Sequence, residues 1–231
     1  MNYGFCGLDE VPSGSVDNEK FSCALYRHVT KRLWEQIQDI RDRSLLEIGT
    51  GRGGGAQFIA QQLPLQSVVA VDFCKTNIRF CKKHHRLSNL SFAVGNAEDL
   101  SFEDESFDFA LNVESSHCYS SMQRFNAGVY RTLKRGGTFF FADIRDQEEI
   151  SELEASFSKA GFKTAEREII TPQVVRALEL DSGRRSSIIE RELPRRFHEV
   201  LKNFSGVVGS EIYNSLKSGE TEYVHYVLLK A

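Results

Sequence analysis

No stretch of this 231-residue chain approaches the roughly 20 consecutive apolar residues that a membrane helix needs, so membrane insertion is not expected. The N-terminus, MNYGFCGLDEVPSGS, has no basic region followed by an apolar core, so no secretory leader is expected either. An excess of one charge is missing: the formal net charge is -3, which gives no support for a nucleic-acid or anionic-membrane surface. Cysteine pairing is missing too. Cys6, Cys23, Cys74, Cys81 and Cys118 are odd in number and form no C-x-x-C, which argues against zinc or a disulfide framework and for free thiols in a reducing cytoplasm. There is no internal repeat and no low-complexity tract, and the length fits one domain spanning residues 1–231.

What is present is an alternation of strands and helices. After an irregular arm, a helix is expected from about Asp17, with Phe21, Leu25, Val29, Leu33, Ile37 and Ile40 on one face. Residues 1–43 form this arm and helix. Over 44–170 the strands SLLEI, SVVAVDF, LSFAV, FDFALNV and GGTFFFADI alternate with helical segments, and EREII offers one more strand. Short, continuously apolar strands between helices predict an α/β fold: a seven-stranded, mostly parallel, Rossmann-like sheet with helices on both faces. Residues 171–217, helical in places and arginine-rich, read as a lid inserted before the last strand, YVHYVLL, in 218–231. The arginines of GRRSSIIERELPRRF interleave with glutamates and read as a solvated helix rather than an anion site.

Ligands in such sheets bind beyond the carboxyl ends of the strands. Two stretches stand there. LLEIGTGRGGG turns from strand into helix through glycines; Gly49, Gly51 and Gly54 fit the dinucleotide spacing, whereas Gly49, Gly51 and Gly53 fit the tighter G-x-G-x-G of S-adenosylmethionine sites. Glu47, a carboxylate on an otherwise apolar strand, needs donors or a cation nearby and suits the methionine ammonium. Asp72 ends SVVAVDF, where a carboxylate accepts both ribose hydroxyls or caps the next helix. The second stretch, NVESSHCYS, crowds Glu114, His117, Cys118 and Tyr119 after the buried strand FDFALNV, as an active-site rim would.

In order and spacing, residues 44–146 resemble the class I S-adenosylmethionine-dependent methyltransferases: LLEIGTGRGGG their first motif, VVAVDF their second, then NAEDLSFEDESFDFALNVESSHCY and VYRTLKRGGTFFFADIR. GRGGG, NVESSHCY and FADIR, with the early YGF and YRH, further resemble small-molecule methyltransferases of polyketide and lipid pathways, including phthiotriolone-type O-methyltransferases. Arg135 stands where the family usually has proline, and Asn96 where it often has aspartate. The resemblance implies S-adenosyl-L-methionine as cofactor. Glu47, Gly49, Thr50, Gly51 and Gly53 would line its methionine and ribose, Asp72 would hold the ribose, and Phe73 would lie against adenine. Asn96, Ala97 and Glu98 would stand at the adenine edge, and Asn112 and Val113 beside the sulfonium.

A hydroxyl acceptor must lose a proton, and histidine is the usual base. His117 is therefore the candidate base or acceptor-orienting residue, with Glu114 to orient it or bind cofactor, and Asp143, at the end of the fifth strand, to assist the acceptor or cap the loop. Tyr26, His28 and Tyr119 are candidates to contact the acceptor, a small molecule. Cys118 reads as a packing thiol, since methyl transfer needs no enzyme nucleophile, and His84 and His85 as an exposed helix end. With no clustered acidic or histidine ligands, no metal is expected. The reading is a methyltransferase acting on a hydroxyl of a small organic, polyketide- or lipid-like molecule. Carbon or nitrogen methylation, an NAD-dependent oxidoreductase and a non-catalytic cofactor-binding module remain the alternatives, and the lid leaves room for a homodimer.

Overall fold

In the computed structural model, which describes residues 2–9 and 19–231, the chain forms strands β1 (Ser44–Ile48), β2 (Ser67–Asp72), β3 (Leu90–Val94), β4 (Phe107–Val113), β5 (Leu133–Asp146), β6 (Phe162–Ile169) and β7 (Thr221–Lys230). They make one sheet in the order β3-β2-β1-β4-β5-β7-β6. The first five run parallel, and β7 pairs antiparallel with both β5 and β6. The helices are α1 (Lys20–Val29), α2 (Lys31–Glu35), α3 (Gly54–Gln62), α4 (Lys75–His84), α5 (Met122–Thr132), α6 (Ile150–Ala160), α7 (Thr171–Glu192), α8 (His198–Phe204) and α9 (Glu211–Ser218).

Both faces of the central strands β1, β4, β5 and β7 are buried, which is why those strands are apolar on both sides, whereas the edge strand β6 is polar and largely exposed. Leu45, Phe140, Ala142, Tyr223 and Val227 point into a core shared with α1, α3, α4, α7 and α9. Their neighbours Leu46, Phe139, Phe141, Val224, Tyr226 and Leu228 point into a second core under α5 and α6. Each of these leucine, valine and phenylalanine side chains removed from water contributes about 1.5–3 kcal/mol before the entropy of ordering is counted.

Two expectations change. The helix expected from Asp17 to Ile40 is interrupted; its start at Asp17 lies outside the described residues, and α1 stops at Val29. Thr30 directs its hydroxyl to the Tyr26 carbonyl at 2.7 Å, a local bond that competes with helix continuation. The arginines after Gly183 are not all solvated. Arg185 is buried and paired with Asp181 at 2.9 Å, and donates to the carbonyls of Asn2, Tyr3 and Ser205. α7 and the end of α8 thereby grip the N-terminal segment.

The strand order reverses between β1 and β4, and the carboxyl ends of these two strands open the crevice. There the Asn112 amide donates to the Ile48 carbonyl at 2.9 Å and fastens the two strand ends together.

Candidate active site

The turn after β1 resolves the ambiguous glycine spacing. Gly49, Gly51 and Gly53 take φ of 78°, 57° and 79°, the left-handed region that glycine enters without cost, while Gly54 opens α3 with an ordinary helical backbone. A methyl group added at Gly49 would stand 2.2 Å from Ser115 Oγ; at Gly51 it would meet open space. The loop is thus pinned to the β4 rim at one glycine and free for a ligand's close approach at the next. Gly55 answers to a third neighbour: an added Cβ would lie 1.9 Å from the Tyr26 ring.

Tyr26 is buried beneath this loop, and its hydroxyl donates to Glu47 Oε1 at 2.7 Å. Thr50 donates to Glu47 Oε2 at 2.5 Å. Burial raises the Glu47 pKa, opposed by Thr50, Tyr26 and the Ala56 amide. The expectation that Tyr26 contacts the acceptor therefore changes: its polar end faces the cofactor-side strand. Asp72 Oδ2 accepts from the Gly51 amide at 2.8 Å, while Oδ1 accepts from the Cys74 amide at 2.8 Å and from Asn77. It closes the tip of β2 rather than capping α4, whose cap residue is Cys74. Phe73 is 78% exposed beside it. Asn96 Oδ1 accepts from the Glu98 amide, Ala97 is buried, and Glu98 Oε1 accepts from the Ser120 amide at 2.8 Å, which ties this turn to the rim.

On the rim, Asn112, Ser115 and Tyr119 form a knot. Asn112 Nδ2 donates to Ser115 Oγ at 2.7 Å, and Ser115 Oγ lies 2.9 Å from the Tyr119 hydroxyl. Tyr119, expected on the acceptor, has its hydroxyl engaged here, and burial pushes that hydroxyl's pKa up to about 12. The Asn112 side-chain Oδ1 is buried with no hydrogen-bond partner, and Val113 beside it is buried.

Glu114 has φ of 48°, a left-handed backbone that costs a non-glycine residue about 1–3 kcal/mol. Its Oε1 accepts from the Tyr3 amide and the Tyr223 hydroxyl, each at 2.8 Å. Burial raises this carboxyl to about 7, against the pull of those two donors. Glu114 therefore does not orient His117. Asp143 does: its Oδ1 lies 2.7 Å from His117 Nδ1, and its Oδ2 accepts from the His117 amide at 3.0 Å and the Ser116 hydroxyl at 2.5 Å. Arg145 completes the group, 3.3 Å from Asp143 Oδ2 and 2.6 Å from Ser116 Oγ.

Burial alone would raise the Asp143 pKa, but the His117 ring, Arg145 and Ser116 outweigh it and hold the carboxyl below its ordinary value. The same hydrogen bond raises His117, against its own burial. Asp143 is completely buried, so it reaches an acceptor only through His117. With Nδ1 committed to the carboxylate, Nε2 is the ring nitrogen left to exchange a proton. His117, Tyr119 and Arg145 border one end of an open groove of about 510 Å³ that continues between α5 and α6 past Gln123, Glu152 and Lys159, and none of the residues of the glycine loop lines it.

Two other expectations move. His28 stands away from the rim, stacked on Phe5 at 4.1 Å and 3.0 Å from Glu168. The supposed absence of clustered ligands is also corrected, because folding brings His28, Glu168 and His225 together. Cys118 is exposed and free, and His84 and His85 hydrogen-bond to the carbonyls of Phe80 and Arg52. Five contributors were not named from the sequence. Tyr3, Ser115, Ser116 and Arg145 lie in stretches already singled out, YGF, NVESSHCYS and FADIR, but Tyr223 carried no signal beyond its element.

The methyltransferase domain family matches residues 46–141. The chain is 37% identical over 192 residues to a phthiotriol/phenolphthiotriol dimycocerosates methyltransferase of Mycobacterium tuberculosis, covering 83% of this chain and 71% of that protein. It is 30% identical to a fatty-acid O-methyltransferase of Mycolicibacterium smegmatis, covering 100% of this chain and 82% of that one. Among solved structures, the cyclopropane synthase MmaA2 of Mycobacterium tuberculosis superposes with a TM-score of 0.75 at 15% identity, over 99% of this chain and 90% of the other, a likeness of fold.

Proposed function

The chain belongs to the S-adenosylmethionine-dependent methyltransferases, and from that premise we propose that it methylates a hydroxyl of a small lipid- or polyketide-like acceptor, with His117 as general base. The pairing of His117 with buried Asp143 carries this reading. S-Adenosylmethionine supplies an electrophilic methyl group on a sulfonium, with a neutral thioether as leaving group. The residues present suit it: a left-handed glycine loop open at Gly51, the Glu47 carboxylate behind it, and the exposed Phe73 ring beside Asp72. Glu47, Gly49, Thr50, Gly51 and Gly53 would hold its methionine and ribose, and Asp72 the ribose hydroxyls. Phe73, Asn96, Ala97 and Glu98 would hold adenine, and Asn112 and Val113 would stand beside the sulfonium.

The acceptor's hydroxyl proton passes to His117 Nε2, which leaves the oxygen lone pair free to bond carbon. Asp143 orients the ring and stabilises the imidazolium that results, and Arg145 and Ser116 hold Asp143 in place. A lipid-like acceptor agrees with the names of both relatives. It agrees as well with the surface of the inserted helices: of ten exposed large apolar residues among those described, six lie between 180 and 208, Leu180, Leu193, Phe197, Val200, Phe204 and Val208. Those helices serve as the lid.

The second relative's name favours one rival. A fatty acid is ionised at neutral pH and needs no base. Transfer of labelled methyl to a long-chain alcohol or phenol and to a matched fatty acid, by wild type and His117→Ala, separates the two. Loss of about 10²–10⁴-fold on the hydroxyl acceptor alone supports the proposal. Activity only on the acid, unchanged in the variant, would sink it.

A further inference from the structure

Away from the rim, three side chains from distant parts of the chain converge on one edge of the sheet. His28 comes from α1, Glu168 from the end of β6 and His225 from the middle of β7. His28 Nε2 is 3.0 Å from Glu168 Oε2, His225 Nδ1 is 3.8 Å from the same oxygen, and the three atoms lie within 4.8 Å of one another. Ligands about 2.0–2.2 Å from a tetrahedral zinc ion stand roughly 3.3–3.5 Å apart, so side-chain adjustments of under about 1 Å close the set.

The chemistry of His225 points the same way. It is completely buried, and its Nε2 lies 3.2 Å from the Val29 carbonyl. A carbonyl only accepts, so Nε2 carries the hydrogen, and in the neutral ring Nδ1 presents a bare lone pair. That Nδ1 has no hydrogen-bond partner, yet it faces a carboxylate. Lone pair against anion is unfavourable until a cation stands between them. A ring nitrogen donating to a backbone carbonyl while its partner points inward is also how metal-ligating histidines are held. His28 is fixed by its stack on Phe5. The nearby cations Lys31 and Arg32 pair with Glu166 and leave Glu168 to the histidines.

We propose that His28, Glu168 and His225 bind a divalent transition-metal ion, zinc foremost, which clamps α1 to the β6–β7 edge. Two imidazoles and one carboxylate suit zinc, and a fourth position is left for water. The clamp lies two residues beyond Tyr26, so it also steadies the helix that donates to Glu47.

The test uses the untagged chain, stripped with chelator and titrated with cobalt(II). The expected result is one ion per chain with visible ligand-field absorption and no thiolate-to-cobalt charge-transfer band. Zinc should displace it and raise the melting temperature by about 5–10 °C at saturation. Glu168→Gln and His28→Ala, both at partly exposed positions that tolerate change, should weaken binding by about 100-fold or more, while Cys74→Ser and Cys118→Ser leave it intact. A thiolate band, no stoichiometric binding at micromolar metal, or Glu168→Gln binding as tightly as wild type would overturn the proposal.

Discussion

Along β1 and β2 the crevice is built from one short stretch of chain, residues 47 to 72, and much of what it offers a ligand is backbone: three left-handed glycines and the amide bound by Asp72. Along β4 and β5 it is built from side chains delivered by four separate segments: Tyr3, Glu114 to His117, Asp143 with Arg145, and Tyr223. The first side is a preformed cradle whose shape is set by local conformation. The second is an electrostatic assembly in which buried acids are shifted in opposite directions. Asp143 is pulled down by a histidine and an arginine, while Glu114, with only neutral donors on its carboxylate, is pushed up to about 7. Burial is common to both; a cationic partner in direct contact decides the sign.

If the two sides are functionally separate, substitutions should affect one measurement and spare the other. His117→Ala should lower kcat on a hydroxyl acceptor by about 10²–10⁴-fold. Calorimetric affinity for S-adenosylhomocysteine should stay within about twofold, since His117 is tied to Asp143 and not to the glycine loop. Equal losses in both would erase the distinction.

Glu114→Gln gives the next largest effect, in stability. Its carboxyl titrates at about 7 when folded against an ordinary 4.5. Between those values the native state holds more protons than the unfolded state, so stability falls as pH rises. The glutamine variant lacks that slope and should gain up to about 3 kcal/mol over wild type by pH 8, read from denaturant melts across pH 4 to 8. Parallel curves for the two proteins would show that Glu114 is ionised at little cost.

Asp72→Ala should mirror His117→Ala. Removing a charged acceptor worth about 1.5–3 kcal/mol should weaken adenosyl-ligand binding about 10–100-fold and leave the pH profile of kcat unmoved. Tyr26→Phe is the smallest test. One donor to buried Glu47 is lost, for about 1–2 kcal/mol of stability. A fall in turnover without a change in cofactor affinity would return Tyr26 to the acceptor side.

The legibility of the sequence follows the same division. Gly49, Gly51 and Gly53 announce themselves because a positive φ and a close approach leave glycine alone suitable, and both demands are local. Glu47 and Asp72 stand out because a carboxylate at the end of an apolar strand needs a reason. His117 was legible as a residue type in a polar rim, but its partner was not. Glu114 is nearer in sequence, yet its side chain turns to Tyr3 and Tyr223, and Asp143 arrives from the neighbouring strand through the pairing of Val113 with Ala142. Arg185 looked like one more charge on a solvated helix. Its burial depends on the N-terminal segment lying across α7, which no periodicity shows.

By itself the sequence determined the α/β alternation, the glycine turn, and the strand ends at which chemistry gathers, because each depends on residues within a few positions of one another. Only the tertiary structure decided which acid serves His117, which is left near neutrality, that Tyr26 backs the cofactor strand, and that His28 meets Glu168 and His225. Those outcomes are set by strand order and by desolvation, and both exist only once segments that are separate in the chain, 21 residues apart for Tyr26 and Glu47 and 140 for His28 and Glu168, are packed together.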